Sequence, residues 1–280
     1  MLTNTFCHVP GISIAFESKL WKEGILSWQD IQPEVLSGLT RTKRENLVRY
    51  IAASASHLET LHSSFFSDLL PANLCWRMFA EFRHATAYID IETTGLSPHG
   101  DSITTAVLFD GKEIHTYVNG ENLARLREDI KRYSLIVTYN GKCFDIPFIE
   151  RNLKTSIHVT HIDLRYVLGS LGYSGGLKRC EKDLGINRKG VEDVDGSVAV
   201  LLWNDYRRHH HERALETLLA YNTFDATNLE PLMVKAYNMK VKNTPFFKKL
   251  ALSSPPPPAV PFEIDDRTIR RLKAACICRW

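Results

Sequence analysis

The chain has 280 residues, 44% hydrophobic and 24% charged, enough to bury a full core in one main domain with appendages. Its formal charge of +3 excludes an indiscriminate polyanion binder, so nucleic-acid contact has to come from local basic clusters. Six cysteines, at 7, 75, 143, 180, 276 and 278, show no CxxC pair and no zinc-like spacing, which argues against a disulfide framework or a zinc site and suits a reducing compartment.

Residues 1–80 read as a helical N-terminal extension, since "LWKEGILSWQDI" and "ENLVRYIAASASHLETLHSSFFSDL" repeat apolar residues at three- and four-residue intervals. Inside it, "HVPGISIAFESKLWKEGI", residues 8–25, resembles a helix-hairpin-helix element, whose hairpin offers backbone N–H groups to phosphate. It departs from that pattern at Ser13, where such hairpins usually carry a second glycine, and a plain packing pair of helices is the alternative. At Ala85 the pattern changes to "ATAYIDI" and then "SITTAVLFDGKEIHTYVNG", in which Asp110-Gly111 between two alternating runs predicts a hairpin and the start of a sheet. "ENLARLREDIKRY" reads as a helix and "SLIVTYN" as a buried strand; nearly everything from Ile146 to Tyr237 reads as helices broken by loops such as "GYSGG". "SSPPPPAVP" reads as an extended linker, or as a ligand for a proline-binding module, and "DDRTIRRLKAACICRW" as one short helix. No basic start precedes an apolar run, and no stretch approaches the length of a membrane span, so the expectation is a cytoplasmic protein. The basic clusters Arg41 to Arg44, Lys178 to Arg188 and Arg267 to Lys273, and the run His209 to His211, each read as solvated helix faces or ends when taken alone.

Three segments could bring carboxylates together. In "YIDIETTGL" the period of a strand puts Asp90 and Glu92 on one face, where paired carboxylates repel unless a cation lies between them; oxygen-only ligands favour Mg²⁺ or Mn²⁺. The alternative is that the strand ends at Asp90 and Glu92 begins a solvated turn. In "TYNGKCFDIPFI" a strand ends at Tyr139, Asn140-Gly141 turns the chain, and Asp145 stands where a helix begins ahead of Pro147, as a cap, a metal ligand or both. In "YNTFDATNL" Tyr221 and Asp225 project from one helix face, near the edge of a stripe formed by Leu215, Leu218, Leu219, Leu229 and Leu232. A carboxylate there is costly without a partner.

Taken together, Asp90-x-Glu92, Asn140-x-x-x-Phe144-Asp145 and Tyr221-x-x-x-Asp225 resemble, in order and context, the three motifs of the DEDD, DnaQ-like exonucleases of the ribonuclease H-like superfamily. No histidine stands five residues before Asp225, so the chain is similar to the tyrosine subclass; "HIDLR", "SGGLKRCEKDLGI" and "LLAYNTFD" resemble the YprB-like bacterial branch. The resemblance implies an α/β fold, a mixed sheet flanked by helices, in a domain at 85–240; the Pro-rich linker and tail read from composition fill 241–280. It implies 3′ to 5′ hydrolysis of DNA or RNA with a free 3′ end, using two divalent cations, Mg²⁺ or Mn²⁺. Asp90 would bridge both ions, Glu92 and Asp225 would complete the more enclosed one, and Asp145 would hold the second. Tyr221 would orient the attacking water. Thr93 and Leu96 would hold the terminal nucleotide, Asn140 and Phe144 would contact substrate, and Lys178 with Arg179 would meet phosphate. Asp163 in "HIDLR" reads as a helix N-cap, with a polar role near the site as the alternative. The competing functions are a catalytically inactive nucleic-acid-binding scaffold on the same fold and an endonuclease. No protein partner is implied.

Overall fold

The computed structural model describes residues 1–32, 36–186 and 195–277; Arg188 of the second basic cluster and Cys278 lie outside them. The chain begins with α1 (Ile14–Lys22), capped by Ser13 through the amide of Phe16, then α2 (Arg41–Glu59), α3 (Ser63–Leu69), a 3-10 stretch over Ala72–Met78 and α4 (Phe79–Phe82). Residues 8–25 hold one α-helix, and the element ahead of the Gly11 turn is a 3-10 turn at Leu2–Asn4. The amides of Phe6 and Cys7 donate to Glu17, which is fully buried and paired with Arg77. These two donors, just ahead of the 8–25 segment, are spent on packing.

The sheet is built from β1 (Thr86–Thr93), β2 (Ile103–Phe109), β3 (Ile114–Val118), β4 (Leu135–Thr138) and β5 (Thr160–Asp163), in the order β3-β2-β1-β4-β5. β1, β2 and β3 are antiparallel neighbours, whereas β4 and β5 run parallel to β1. The β2–β3 hairpin turns at Asp110-Gly111: Gly111 has φ 90°, and Asp110 Oδ1 accepts the amides of Lys112 and Glu113. Between β3 and β4 the expected helix is instead a run of 3-10 turns around α5 (Leu126–Asp129). α6 (Asp145–Leu153), α7 (Leu164–Gly169) and α8 (Leu177–Asp183) follow, then α9 (Gly196–His209), α10 (Glu212–Thr227), α11 (Leu229–Lys242) and α12 (Phe247–Leu250).

β5 corrects the helical reading of Ile146 to Tyr237. "THID" carries a single fully apolar residue, Ile162, and its strand geometry comes from pairing with β4, a contact that local pattern does not encode. The fold is the α/β mixed sheet flanked by helices. Ala87, Ile89 and Ile91 of β1 pack with Phe148 and Ile149 of α6 in one layer. Tyr88, Leu135, Val137 and Ile162 face the other way, into a cluster shared with Phe66, Trp76, Phe79 and Phe82 of the N-terminal extension.

Beyond α12 the chain does not leave the domain. Leu252 exchanges two hydrogen bonds of 2.8 Å with the Asn238 side chain, and Pro255 to Pro258 line a cavity with Phe109, Phe224 and Pro231. α13 (Asp266–Ile277) then docks on α9, with Ile269 buried and Arg271 paired to Asp205 at 2.5 Å. Among the described residues no helix is long and apolar enough to cross a membrane.

Candidate active site

β1 is the strand on which the site is built. With Ala87, Ile89 and Ile91 committed to one layer, alternation turns Asp90 and Glu92 to the opposite face, toward α10. Pairing between β1 and β4 stops at Tyr88↔Val137, so the carboxyl end of β1 opens into a crevice beside a diverging parallel strand, the usual ligand position in such sheets. The β1–β2 register shifts between Glu92 and Thr93, and an irregularity of that kind re-aims side chains at a strand end.

α10 crosses this crevice. One oxygen each from Asp90, Glu92 and Asp225 lie within 4.8 Å of one another, and Asp225 is only 6% exposed. At that separation each pair of carboxylates repels by about 3 kcal/mol for an effective dielectric near 20. An arrangement so costly in the absence of a counter-charge, with oxygen as its only donor atom, fits a hard divalent cation such as Mg²⁺ or Mn²⁺.

Asp145 lines the same cavity, of about 470 Å³, together with Thr93, Leu96, Asn140 and Phe144, but is not one of the three clustered carboxylates. It is the first residue of α6, whereas the N-cap is Phe144, so the simple capping reading does not hold. Burial pushes its carboxyl up to about 7; the amides of Asp145 and Ile91 pull it down, and the charges of Asp163 and Asp225 raise it further. Leu96 is 86% exposed at the rim, on a loop wound around Asp101, which accepts from Thr94 Oγ1 and the Ser97 amide. Thr93 Oγ1 donates to the carbonyl of Gly95 in the same loop.

The turn that delivers Asp145 is tightly specified. Asn140 has φ 67°, in the left-handed region that Asn tolerates. A Cβ on Gly141 would stand 2.1 Å from Thr138 Oγ1, so the close approach requires glycine. Asp163, buried at the end of β5, accepts the amides of Asn140, Lys142 and Arg165 at 2.8, 3.1 and 3.0 Å. It is thus the N-cap of α7 and also the clamp on the Asn140–Lys142 turn.

Tyr221 lies one helical turn before Asp225, 4% exposed, with Lys178 Nζ of α8 5.1 Å from its ring centroid. The His209 to His211 run is remote in role: His211 pairs with Asp205 in the α9–α13 contact. Asn222 was not singled out by sequence reasoning. Fully buried, it donates to Asp90 Oδ2 at 2.7 Å and accepts from Thr105 Oγ1 at 3.0 Å, tying α10 to β1 and β2. Its signal was its place three residues before Asp225, on the same helix face.

A family model described as RNase_H superfamily matches residues 87–237, more than half of the chain. No curated protein matches the sequence. Among solved structures, the family B DNA polymerase of the hyperthermophilic archaeon Pyrobaculum calidifontis is similar at 16% identity and a TM-score of 0.43, over 60% of this chain and only 27% of the polymerase. A structure described as the apo form of a nuclease is similar at 18% identity and a TM-score of 0.33, over 60% of this chain and 91% of that one. Brucella melitensis NrnC bound to pGG is similar at 17% identity and a TM-score of 0.31, over 58% of this chain and 87% of NrnC.

Proposed function

The chain belongs to the RNase H superfamily, and from that premise we propose that it is a metal-dependent 3′ to 5′ exonuclease acting on DNA or RNA with a free 3′ end. Within the superfamily it is read as a DEDD nuclease of the tyrosine subclass, nearest the YprB-like branch, with residues 85–240 as the nuclease domain. The supporting observation is the meeting of Asp90, Glu92 and Asp225, from a strand and a helix far apart in sequence, within 4.8 Å. Asp145 stands in the same cavity. Asp90, Glu92 and Asp225 would hold one divalent ion, and Asp90 with Asp145 a second. Bound Mg²⁺ or Mn²⁺ would supply the positive charge that stabilises the attacking and leaving oxygens of an in-line displacement at phosphorus.

The protein's own groups do the rest. Asn222 fixes the Asp90 carboxylate by its 2.7 Å hydrogen bond. An ordinary phenol is a poor base at neutral pH, so Tyr221 acts by positioning the attacking water through its hydroxyl. Lys178, held against the Tyr221 ring, brings a cation to the same place and faces substrate phosphate. Leu96, projecting from the rim, packs on the terminal base while Thr93 orders its loop; Asn140 and Phe144 meet the next nucleotide. A cytoplasmic location belongs to the same reading.

The test is incubation of 5′-labelled single- and double-stranded DNA and RNA with Mg²⁺ or Mn²⁺. The expected outcome is stepwise shortening from the 3′ end. Internal cuts would make the protein an endonuclease, and binding without shortening would make it a scaffold; either contradicts the reading.

A further inference from the structure

The crevice at the carboxylates does not end at Asn140. Tyr139 and Asn140 also wall a second hollow of about 800 Å³, formed by α7 and the glycine-rich loop before α8. Tyr166 and Ser170 of that hollow in turn wall a third, of about 350 Å³, which Ala72, Asn73, Cys75 and Trp76 of the N-terminal extension also line. The three hollows share walls and so lie in series as a trough from the carboxylates to the extension.

Charge and exposure change along it. The first hollow holds Asp90, Glu92 and Asp145, whereas among the described residues the second carries no acidic side chain and presents Arg165. The third presents Lys142 and Lys240, and the one acid lining it among the described residues, Asp163, is 3% exposed and spent on three backbone amides. Among the described residues no hydrogen bond or ion pair engages the ammonium of Lys142 or Lys240. Tyr166, between the second and third hollows, is 54% exposed, a large ring on the outer face of a helix that buries Leu164 and Leu168. A cationic groove interleaved with an open aromatic face is the chemistry that holds single-stranded nucleic acid, with phosphates on the cations and a base stacked on the ring.

We infer that this trough is the path of a single strand whose 3′ end enters the carboxylate site, running over Tyr139 and Tyr166 toward Lys142, Lys240 and the N-terminal extension. The inference rests on the nuclease reading for the strand's polarity. A duplex offers no free base face to Tyr166 and is not held this way.

The experiment measures binding of 5′-labelled oligo(dT) and oligo(U), two, four and eight nucleotides long, by fluorescence anisotropy of the full-length protein in EDTA at several salt concentrations. Wild-type affinity is expected to rise with length. Tyr166→Ala, exposed and so tolerated by the fold, is expected to weaken the octamer about 5- to 100-fold, with a smaller loss for the dinucleotide. Lys142→Gln combined with Lys240→Gln is expected to flatten the slope of log affinity against log salt by about 0.7 per cation removed. Affinity independent of length, an equal loss for octamer and dinucleotide, or tighter binding of an octamer duplex would overturn the path. A separate arm follows wild-type hydrolysis of thymidine 5′-(p-nitrophenyl phosphate) with Mn²⁺, a substrate that reaches only the carboxylate end. Failure there counts against the nuclease reading, while the length dependence decides the trough.

Discussion

Asn222 spends both ends of its amide at the site, on Asp90 and on Thr105, at complete burial. Groups that orient a metal ligand in this way commonly contribute 10- to 100-fold in affinity, so Asn222→Ala should weaken Mn²⁺ binding by about that factor in calorimetric titration. Unchanged affinity would show that Asp90 is held without it. His8 makes a prediction of another kind. Its Nε2 meets Ser54 Oγ at 2.9 Å, and because that hydroxyl donates to the Tyr50 carbonyl, the ring must be the donor. Nδ1 has no partner among the described residues, and burial lowers the pKa from 6.5 to about 4. The unfolded chain takes up this proton below about pH 6.5 and the folded protein does not until about pH 4, so stability is full above that window and falls as pH drops through it. The whole contribution is about 3 kcal/mol. Urea unfolding at pH 7 and at pH 4.5 should show His8→Gln losing less than wild type; parallel losses would contradict the assignment.

At the scale of elements, β1 and α10 were legible because their patterns are strong: alternation in "YIDIET" places two carboxylates on one face, and i, i+4 spacing pairs Tyr221 with Asp225. β5 was not legible, because a four-residue edge strand owes its geometry to a partner distant in sequence. The role of Asp163 was hidden for the same reason: a capping pattern reveals its bond to Arg165, but its bonds to Asn140 and Lys142 exist only after β5 lies beside β4. Asp163→Asn keeps one acceptor oxygen and sets an NH₂ against the Lys142 amide, a loss of about 1–3 kcal/mol. It should appear as a lowered urea midpoint, together with weaker Mn²⁺ binding because Asp145 follows that turn. A full-strength midpoint would mean that the turn holds its shape without the clamp.

At the scale of the molecule, the split at residue 80 that periodicity suggests is not a break in the packing. Phe66, Trp76, Phe79 and Phe82 lie in one cluster with Tyr88, Leu135 and Val137 of the sheet. An 85–240 fragment would expose that face, so it should show weak near-ultraviolet circular dichroism and bind a hydrophobic dye. A fragment with native spectra would show instead that the extension is dispensable for folding. The Pro-rich segment reads as a linker because proline forbids a helix; what it lies against is a tertiary fact, visible in the cavity that Pro255 to Pro258 share with Phe109, Phe224 and Pro231, with Leu252 bonded to Asn238 on one side of it and Ile269 buried on the other.

The central claim is that Asp225 and β1 share a cation that drives hydrolysis, with Tyr221 in a positioning role. The most direct measurement compares wild type, Asp225→Asn and Tyr221→Phe on one 5′-labelled single strand in Mn²⁺. Wild type should yield a ladder receding from the 3′ end, Tyr221→Phe the same ladder slowed about 100-fold, and Asp225→Asn no ladder. Equal rates for Asp225→Asn and wild type would contradict it.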